Sequence, residues 1–248
     1  MKTLRVFLTF VLATTLLAAL AGPAFAAPGI HVKNGTSTNW SGYAVETNLA
    51  SPQSSAVSDV VGTWIVPGTT ATSGNSYSSA WVGIDGYASN TVEQLGTEQD
   101  WMNGAPRYYA WWEMYPKASR LITTMSVRAG DQMGAEVKFI GKNTFMLTMT
   151  NFNTGQTFTT LQKANDKRSS AEWAMEAPWS GSVLPLAKFG SIGFTSCYAT
   201  LNGHTGAIGD SAWQLDPITM VDGSKSPIAV PSSLTSLGSA FTVTRVGN

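Results

Sequence analysis

Cysteine is almost missing from this chain: Cys197 is the only one in 248 residues. That excludes an intramolecular disulfide, so stability must come from core and sheet pairing. No base stands near Cys197, and Phe194 and Tyr198 beside it mark it as packing rather than a reactive thiol. Histidine is nearly as scarce, with only His31 and His204. Two distant imidazoles and one thiol supply neither a zinc site nor a ready Ser–His–Asp triad, and no Gly-x-Ser-x-Gly elbow is present. No Gly-rich phosphate loop follows a strand, and no Asp-Thr-Gly or Asp-Ser-Gly occurs. Charge is sparse: Asp, Glu, Lys and Arg make up 12% of the chain, about half the usual share. The 15 basic residues balance the 15 acidic ones, which leaves no basic face for a nucleic acid. Few ion pairs can be lost when carboxylates protonate, a composition suited to an acidic medium.

Long apolar runs are missing too, except at the start. Lys2 and Arg5, the run Val6 to Leu20 and Ala24-Phe25-Ala26 read as a secretory signal over residues 1–26. The run is short for a bilayer and Gly22-Pro23 follows it. The expected product is a secreted, extracellular protein with no membrane contact once the signal is removed. Residues 27–38 are expected to form a flexible mature N-terminus and 39–248 a single domain.

What fills that domain is short alternating runs. Val57 to Pro67 places Val61, Thr63 and Ile65 on one face and Val60, Trp64 and Val66 on the other, predicting a strand with both faces partly covered. Further strands are expected over Leu121–Val127, Met133–Ile140, Thr144–Asn151, Gln156–Leu161, Lys188–Thr195, Ala212–Val221 and Phe241–Val246. Short turns at 141–143 and 153–155 make three of these a meander. Residues 171–178 have helix-like propensity but are too short to stand alone and end at Pro178. Asp222–Ser239 reads as a Ser/Pro/Gly-rich connection. The expected fold is all-β: a jelly-roll-type β-sandwich of two packed antiparallel sheets.

Chemistry concentrates between Ala80 and Pro116, where aromatics alternate with acids and amides. Burying Asp85, Gln94 or Glu113 without partners would cost several kcal/mol, so these groups are expected to meet a ligand or each other. Trp81, Trp111, Trp112 and Tyr115 can wall a groove for an extended polymer. With metal, thiol and imidazole chemistry set aside, carboxylate chemistry remains. Two carboxylates facing a sugar hydrolyse a glycoside. One carboxylate with a non-titrating amide can hydrolyse a peptide in acid, and Gln94 with Glu172 is the candidate pair. The sugar-directed alternatives are a glycoside hydrolase using two of Asp85, Glu113 and Glu172, or a binding module using the Trp wall.

Seven pieces occur in order: Asn39-Trp-Ser-Gly, Gly62-Thr-Trp-Ile-Val-Pro, Ala80-Trp-Val-Gly-Ile-Asp-Gly, Gln94-Leu-Gly, Ala110-Trp-Trp-Glu-Met-Tyr-Pro, Ala171-Glu-Trp and Phe189-Gly-Ser-Ile-Gly-Phe-Thr. Together they resemble the glutamic peptidase family, the eqolisins. The resemblance implies a secreted acid endopeptidase, most active in acid. It places the catalytic amide on Gln94 and the catalytic carboxyl on Glu172, with groove positions at Trp40, Trp81, Asp85, Glu113 and Tyr115. Glu98 stands where the family carries Asp, one methylene longer. No metal or cofactor is expected, the partners are polypeptide substrates, and the protein is expected to act as a monomer. Glu172 is expected to titrate near the roughly 4.3 of a free glutamate.

Overall fold

A computed structural model of the chain describes residues 35–247. The signal expected at 1–26 lies outside the described residues, as does most of the 27–38 segment. Within that segment the structure differs from a flexible start: Thr36–Ser37 forms β1 and pairs in parallel with Thr219 and Met220.

The remaining strands follow in chain order: β2 Trp40–Glu46, β3 Val57–Ile65, β4 Ser79–Ile84, β5 Val92–Met102, β6 Ala105–Tyr115, β7 Arg120–Leu121, β8 Gln132–Phe139, β9 Thr144–Asn151, β10 Gln156–Lys163, β11 Ser170–Glu176, β12 Ser191–Leu201, β13 His204–Ala207, β14 Gln214–Val221, β15 Pro227–Pro231 and β16 Phe241–Arg245. No helix occurs among the described residues. A groove sheet runs β14-β2-β11-β4-β5-β6-β7, and a back sheet runs β10-β9-β8-β3-β12-β16-β15-β14. The long strand β14 belongs to both: Gln214–Ile218 pairs with β2, while Met220 and Val221 pair with β15.

The two sheets meet through the inward half of each alternation. Val82, Leu95, Trp173 and Met175 from the groove sheet face Val60, Trp64, Met133, Phe145, Leu147 and Phe194 from the back sheet, all of them buried. Two indoles stitch the layers with their N–H groups, which need a partner when buried. Trp173 donates to the carbonyl of Val61 at 2.7 Å, and Trp64 donates to the Thr97 hydroxyl at 2.9 Å. Cys197 is fully buried, which pushes its thiol far up, as packing rather than reactivity requires.

Several expectations change. Residues 170–176 form a strand at the centre of the groove sheet, because pairing on both edges with β2 and β4 outweighs the helix propensity of Ala, Glu and Met. Leu121–Val127 is not a strand beyond Leu121; Ile122, Met125 and Val127 are buried at a spacing set by a turn from Ile122 to Met125. The strand expected from Lys188 begins at Ser191. Val60, Trp64 and Val66 of the β3 region are covered, but Ile65 on the other face is 49% exposed. A strand, β15, lies inside the Ser/Pro/Gly-rich connection, its prolines at the two ends where a missing N–H costs least.

One turn sets a register that matters below. β5 and β6 are joined by Asn103-Gly104, both at positive φ (53° and 79°), the conformation of a tight two-residue hairpin. The turn pairs Met102 with Ala105, and eight steps further along it pairs Gln94 with Glu113.

Candidate active site

Register brings the key side chains into one row across the groove sheet. Glu172 on β11 pairs with Gly83 on β4, Gly83 pairs with Gln94 on β5, and Gln94 pairs with Glu113 on β6. Residues in register share a face, so Glu172, Gln94 and Glu113 all point away from the interlayer core. Neighbouring strands lie about 4.8 Å apart, which places the Glu172 and Gln94 backbones roughly 10 Å from each other with Gly83 between. A Cβ on Gly83 would approach the Gln94 Cβ and the Trp81 ring to 3.1 Å each. The glycine therefore keeps open the space into which both side chains reach.

Gln94 is held by Glu113. Its Nε2 donates to Glu113 Oε2 at 2.7 Å, which fixes the orientation of the amide and leaves its second N–H for the groove. Glu172 Oε1 accepts the main-chain N–H of Tyr87 at 3.2 Å, and its Oε2 is buried with no protein partner. Burial pushes the Glu172 carboxyl well above the ordinary glutamate range; the Ser170 hydroxyl and the Tyr87 N–H act against this, and the charges of Asp85 and Glu46 add to it. The expectation of a near-free value is thus corrected: Glu172 is fully buried and ringed by acids.

Two further rows complete the face. Ala174, Trp81, Gly96 and Trp111 align next to the first row, and Trp40 meets Trp81 with ring centroids 6.2 Å apart. Beyond them, Glu176, Ser79, Glu98 and Tyr109 align. Trp81 donates its indole N–H to Glu176 Oε2 at 2.7 Å, and Asn39 donates to Glu176 Oε1 at 2.9 Å. Trp111 donates to the Ser79 hydroxyl at 2.9 Å. Glu98 and Asp100 form a tightly coupled acid pair. Burial and then the Asp100 charge push Glu98 well up, while Asp100, raised by burial, sits at about 6.

Of the residues expected in the groove, Trp40, Trp81, Glu98, Trp111, Glu113 and Tyr115 share this face with the pair. Asp85 is committed elsewhere: at the end of β4, with φ 66°, it accepts the main-chain N–H groups of Arg168 at 2.6 Å and Ser169 at 2.8 Å. It acts on the groove through its charge and by clamping the turn before β11. Trp112 points the other way, packing on the interlayer core with the Arg120 guanidinium 5.7 Å from its ring. Sequence reading missed Glu46, Glu176, Tyr87 and Asp100. Glu176 was within reach of simple alternation, since 172, 174 and 176 fall on one face of a strand. Glu46, Tyr87 and Asp100 become visible only through long-range pairing.

The fold and the row together define a class: an antiparallel β-sandwich whose groove sheet carries a carboxyl and a carboxamide in one row, with no metal-ligating cluster among the described residues. The peptidase A4 family model matches residues 38–244, and the chain belongs to that family, the eqolisins. Aspergillopepsin-2 of Aspergillus niger is 35% identical over 133 residues, covering 51% of this chain and 47% of that protein. Scytalidopepsin B of Scytalidium lignicola is 30% identical over 145 residues, covering 54% of this chain and 55% of that protein. The chain thus spans about half the length of the curated relatives it matches. The crystal structure of aspergilloglutamic peptidase from Aspergillus niger superposes with a TM-score of 0.59 at 29% identity, over 69% of this chain and 99% of that one. Scytalido-glutamic peptidase bound to a transition-state analogue shares the fold, with a TM-score of 0.71 at 22% identity over 84% and 98% of the two chains.

Proposed function

We propose that the chain is a secreted glutamic endopeptidase in which Glu172 activates water and Gln94 stabilises the oxyanion. The observation that carries this reading is the shared row: a carboxyl with one buried, unpartnered oxygen and an amide with a spare N–H face each other across Gly83. Ionised Glu172 takes a proton from water, the resulting hydroxide adds to the scissile carbonyl, and the Gln94 N–H donates to the oxygen as it becomes negative. Glu172, now protonated, returns the proton to the amine as the C–N bond breaks. The amide does not titrate, so the donor persists throughout the acid range. The substrate is an extended polypeptide lying against Trp40, Trp81 and Trp111, and the working unit is a monomer.

The two-carboxylate sugar reading finds less support. Asp85 is occupied by two main-chain amides, and Glu113 is bonded to Gln94, so neither is placed beside Glu172 as a second acid. Denatured polypeptide and an oligosaccharide, each offered in acid with a chelator present, test the choice. Cleavage of the polypeptide alone, lost in Glu172→Gln, is the expected result. Chelator-sensitive or glycosidic cleavage would overturn the assignment.

A further inference from the structure

The turn between β4 and β5 carries a side chain that no step above uses. Tyr87 is 7% exposed and belongs to the buried cluster on the groove side that also holds Trp40, Ala44, Trp81 and Val92. Its main-chain N–H donates to Glu172 Oε1, and its phenol donates to Asp216 Oδ2 at 2.8 Å. Asp216 on β14 is in register with Ala44 on β2, and Ala44 with Glu172 on β11. The residue therefore reaches from the β11 carboxyl to the β14 carboxyl, its ring crossing over β2 where the side chain is only a methyl. We propose that Tyr87 is the positioning residue for Glu172, holding one carboxyl oxygen with its peptide N–H while its phenol, tied to Asp216, keeps the 85–91 turn closed against the groove.

The turn is built so that this N–H has one direction. Gly86 takes φ +116°, and a Cβ there would come within 2.8 Å of Val92, so the bend is open to glycine alone. Ser89 accepts the Gly86 N–H at 3.1 Å and donates to the Thr91 carbonyl at 3.1 Å. Asp85 pins the other end to the 168–169 turn. What remains is rotation of the 87 peptide toward or away from Glu172, and the phenol tether governs it. With Oε1 held, Oε2 is the oxygen presented to water. The groups whose charge or hydrogen bonds act on Glu172 are Glu46 from β2, Asp85 from the end of β4, Glu93 from the opposite face of β5, Ser170 from β11 and Tyr87 itself. The acids among them oppose its ionisation, so the Tyr87 N–H is one of the few contacts that favour it.

The inference rests on the catalytic role proposed for Glu172, and its test keeps the two apart. Tyr87→Phe and Asp216→Ala remove the tether from opposite ends. Each should lower kcat about tenfold, leave KM within about twofold, and move the acid limb of kcat/KM to higher pH, because a weakened N–H contact favours the ionised carboxyl less. Asp216→Asn keeps an acceptor and should stay within about twofold of the parent. The double variant should be no worse than either single one, as expected of one shared contact. A Tyr87→Phe enzyme with the parental kcat and acid limb overturns the proposal, as does an Asp216→Asn as impaired as Asp216→Ala. Should Tyr87→Phe fail to fold by circular dichroism, Asp216→Ala against Asp216→Asn decides alone. Activity surviving in Glu172→Gln would instead sink the underlying mechanism.

Discussion

The outward face of the groove sheet and the outward face of the back sheet come from the same alternation, yet they are furnished differently. On the back sheet, hydroxyls pair across strands: Thr63 with Thr195 at 2.7 Å, Thr150 with Thr157 at 3.1 Å, Thr148 with Thr159 at 3.3 Å. The charges there are paired, with Lys138 at 2.7 Å from Asp59 and 3.3 Å from Glu136, although one Asp59 oxygen is buried without a partner. On the groove sheet, Glu46, Gln94, Glu98, Glu113, Glu172 and Glu176 are buried, and Glu46 has neither carboxyl oxygen bonded within the protein. Threonine pairs are an inexpensive way to finish a sheet facing water. Buried acids are the opposite, since each must be desolvated. A fold that gathers several on one face and leaves only an oxygen of Asp59 comparably buried on the other concentrates its desolvation cost where the catalytic pair is proposed to act.

Substitutions in the first row should break that contrast most sharply. Glu172→Gln removes the base and should lower kcat/KM by about 10²–10⁴-fold, measured on a denatured polypeptide across the acid range. In the parent enzyme the acid limb should lie above the roughly 4.3 of a free glutamate, because Glu172 is buried among acids; a limb at or below that value would mean the groove is wetter than its geometry implies. Gln94→Glu keeps the volume but loses a donor once ionised, and should cost about a hundredfold or more, with residual activity moved to lower pH. A parental profile would remove Gln94 from the mechanism. Gly83→Ala places a methyl between the pair; about a tenfold loss in kcat is expected from displaced side chains, with the fold intact by circular dichroism.

Stability sharpens the comparison further. Burial, then the Asp85 charge, raises Glu46 to about 8, and burial raises Asp100 to about 6, both above their unfolded values of roughly 4.3 and 3.9. The folded state binds these protons more tightly, so the stability they contribute is complete below the unfolded values and is lost as pH rises through the folded ones. Thermal unfolding should therefore fall in midpoint from pH 4 to pH 8, and Glu46→Gln should flatten the upper part of that decline. A midpoint that rises toward neutrality would contradict the picture of dry, protonated groove acids. The smallest effect is expected on the other face: Thr148→Ala should change stability by no more than about 0.5 kcal/mol and leave kcat/KM unaltered.

Legibility in the sequence followed the same division. β8 and β9 stood out because strict alternation reports one buried face, and β9 falls on Thr144–Asn151 as the pattern predicts; β10 was marked by the short turn before it. Gln94 and Glu172 became candidates through the resemblance of their flanking motifs to the eqolisins; the scarcity of histidine and cysteine left carboxylate chemistry open but did not single them out. β11 was ambiguous, since its helix-forming composition says nothing of the two strands that flank it. β15 was hidden by the prolines at its ends. The contacts of Tyr87 with Glu172 and Asp216 join residues 85 and 129 positions apart in the chain; no local pattern encodes a pairing of that range.

The Asn103-Gly104 turn carries a consequence for how such a protein can change. It lies at the far end of β5 and β6, touching nothing in the first row, yet the count of residues from it decides that Gln94 meets Glu113 rather than Trp112 or Met114. Because side chains alternate with a period of two, one inserted residue there would turn the amide's acidic partner toward the opposite layer. Lineages can drift in sequence at the hairpin tip far more readily than in length, and a library of tip lengths would separate chains that merely fold from chains that also cut.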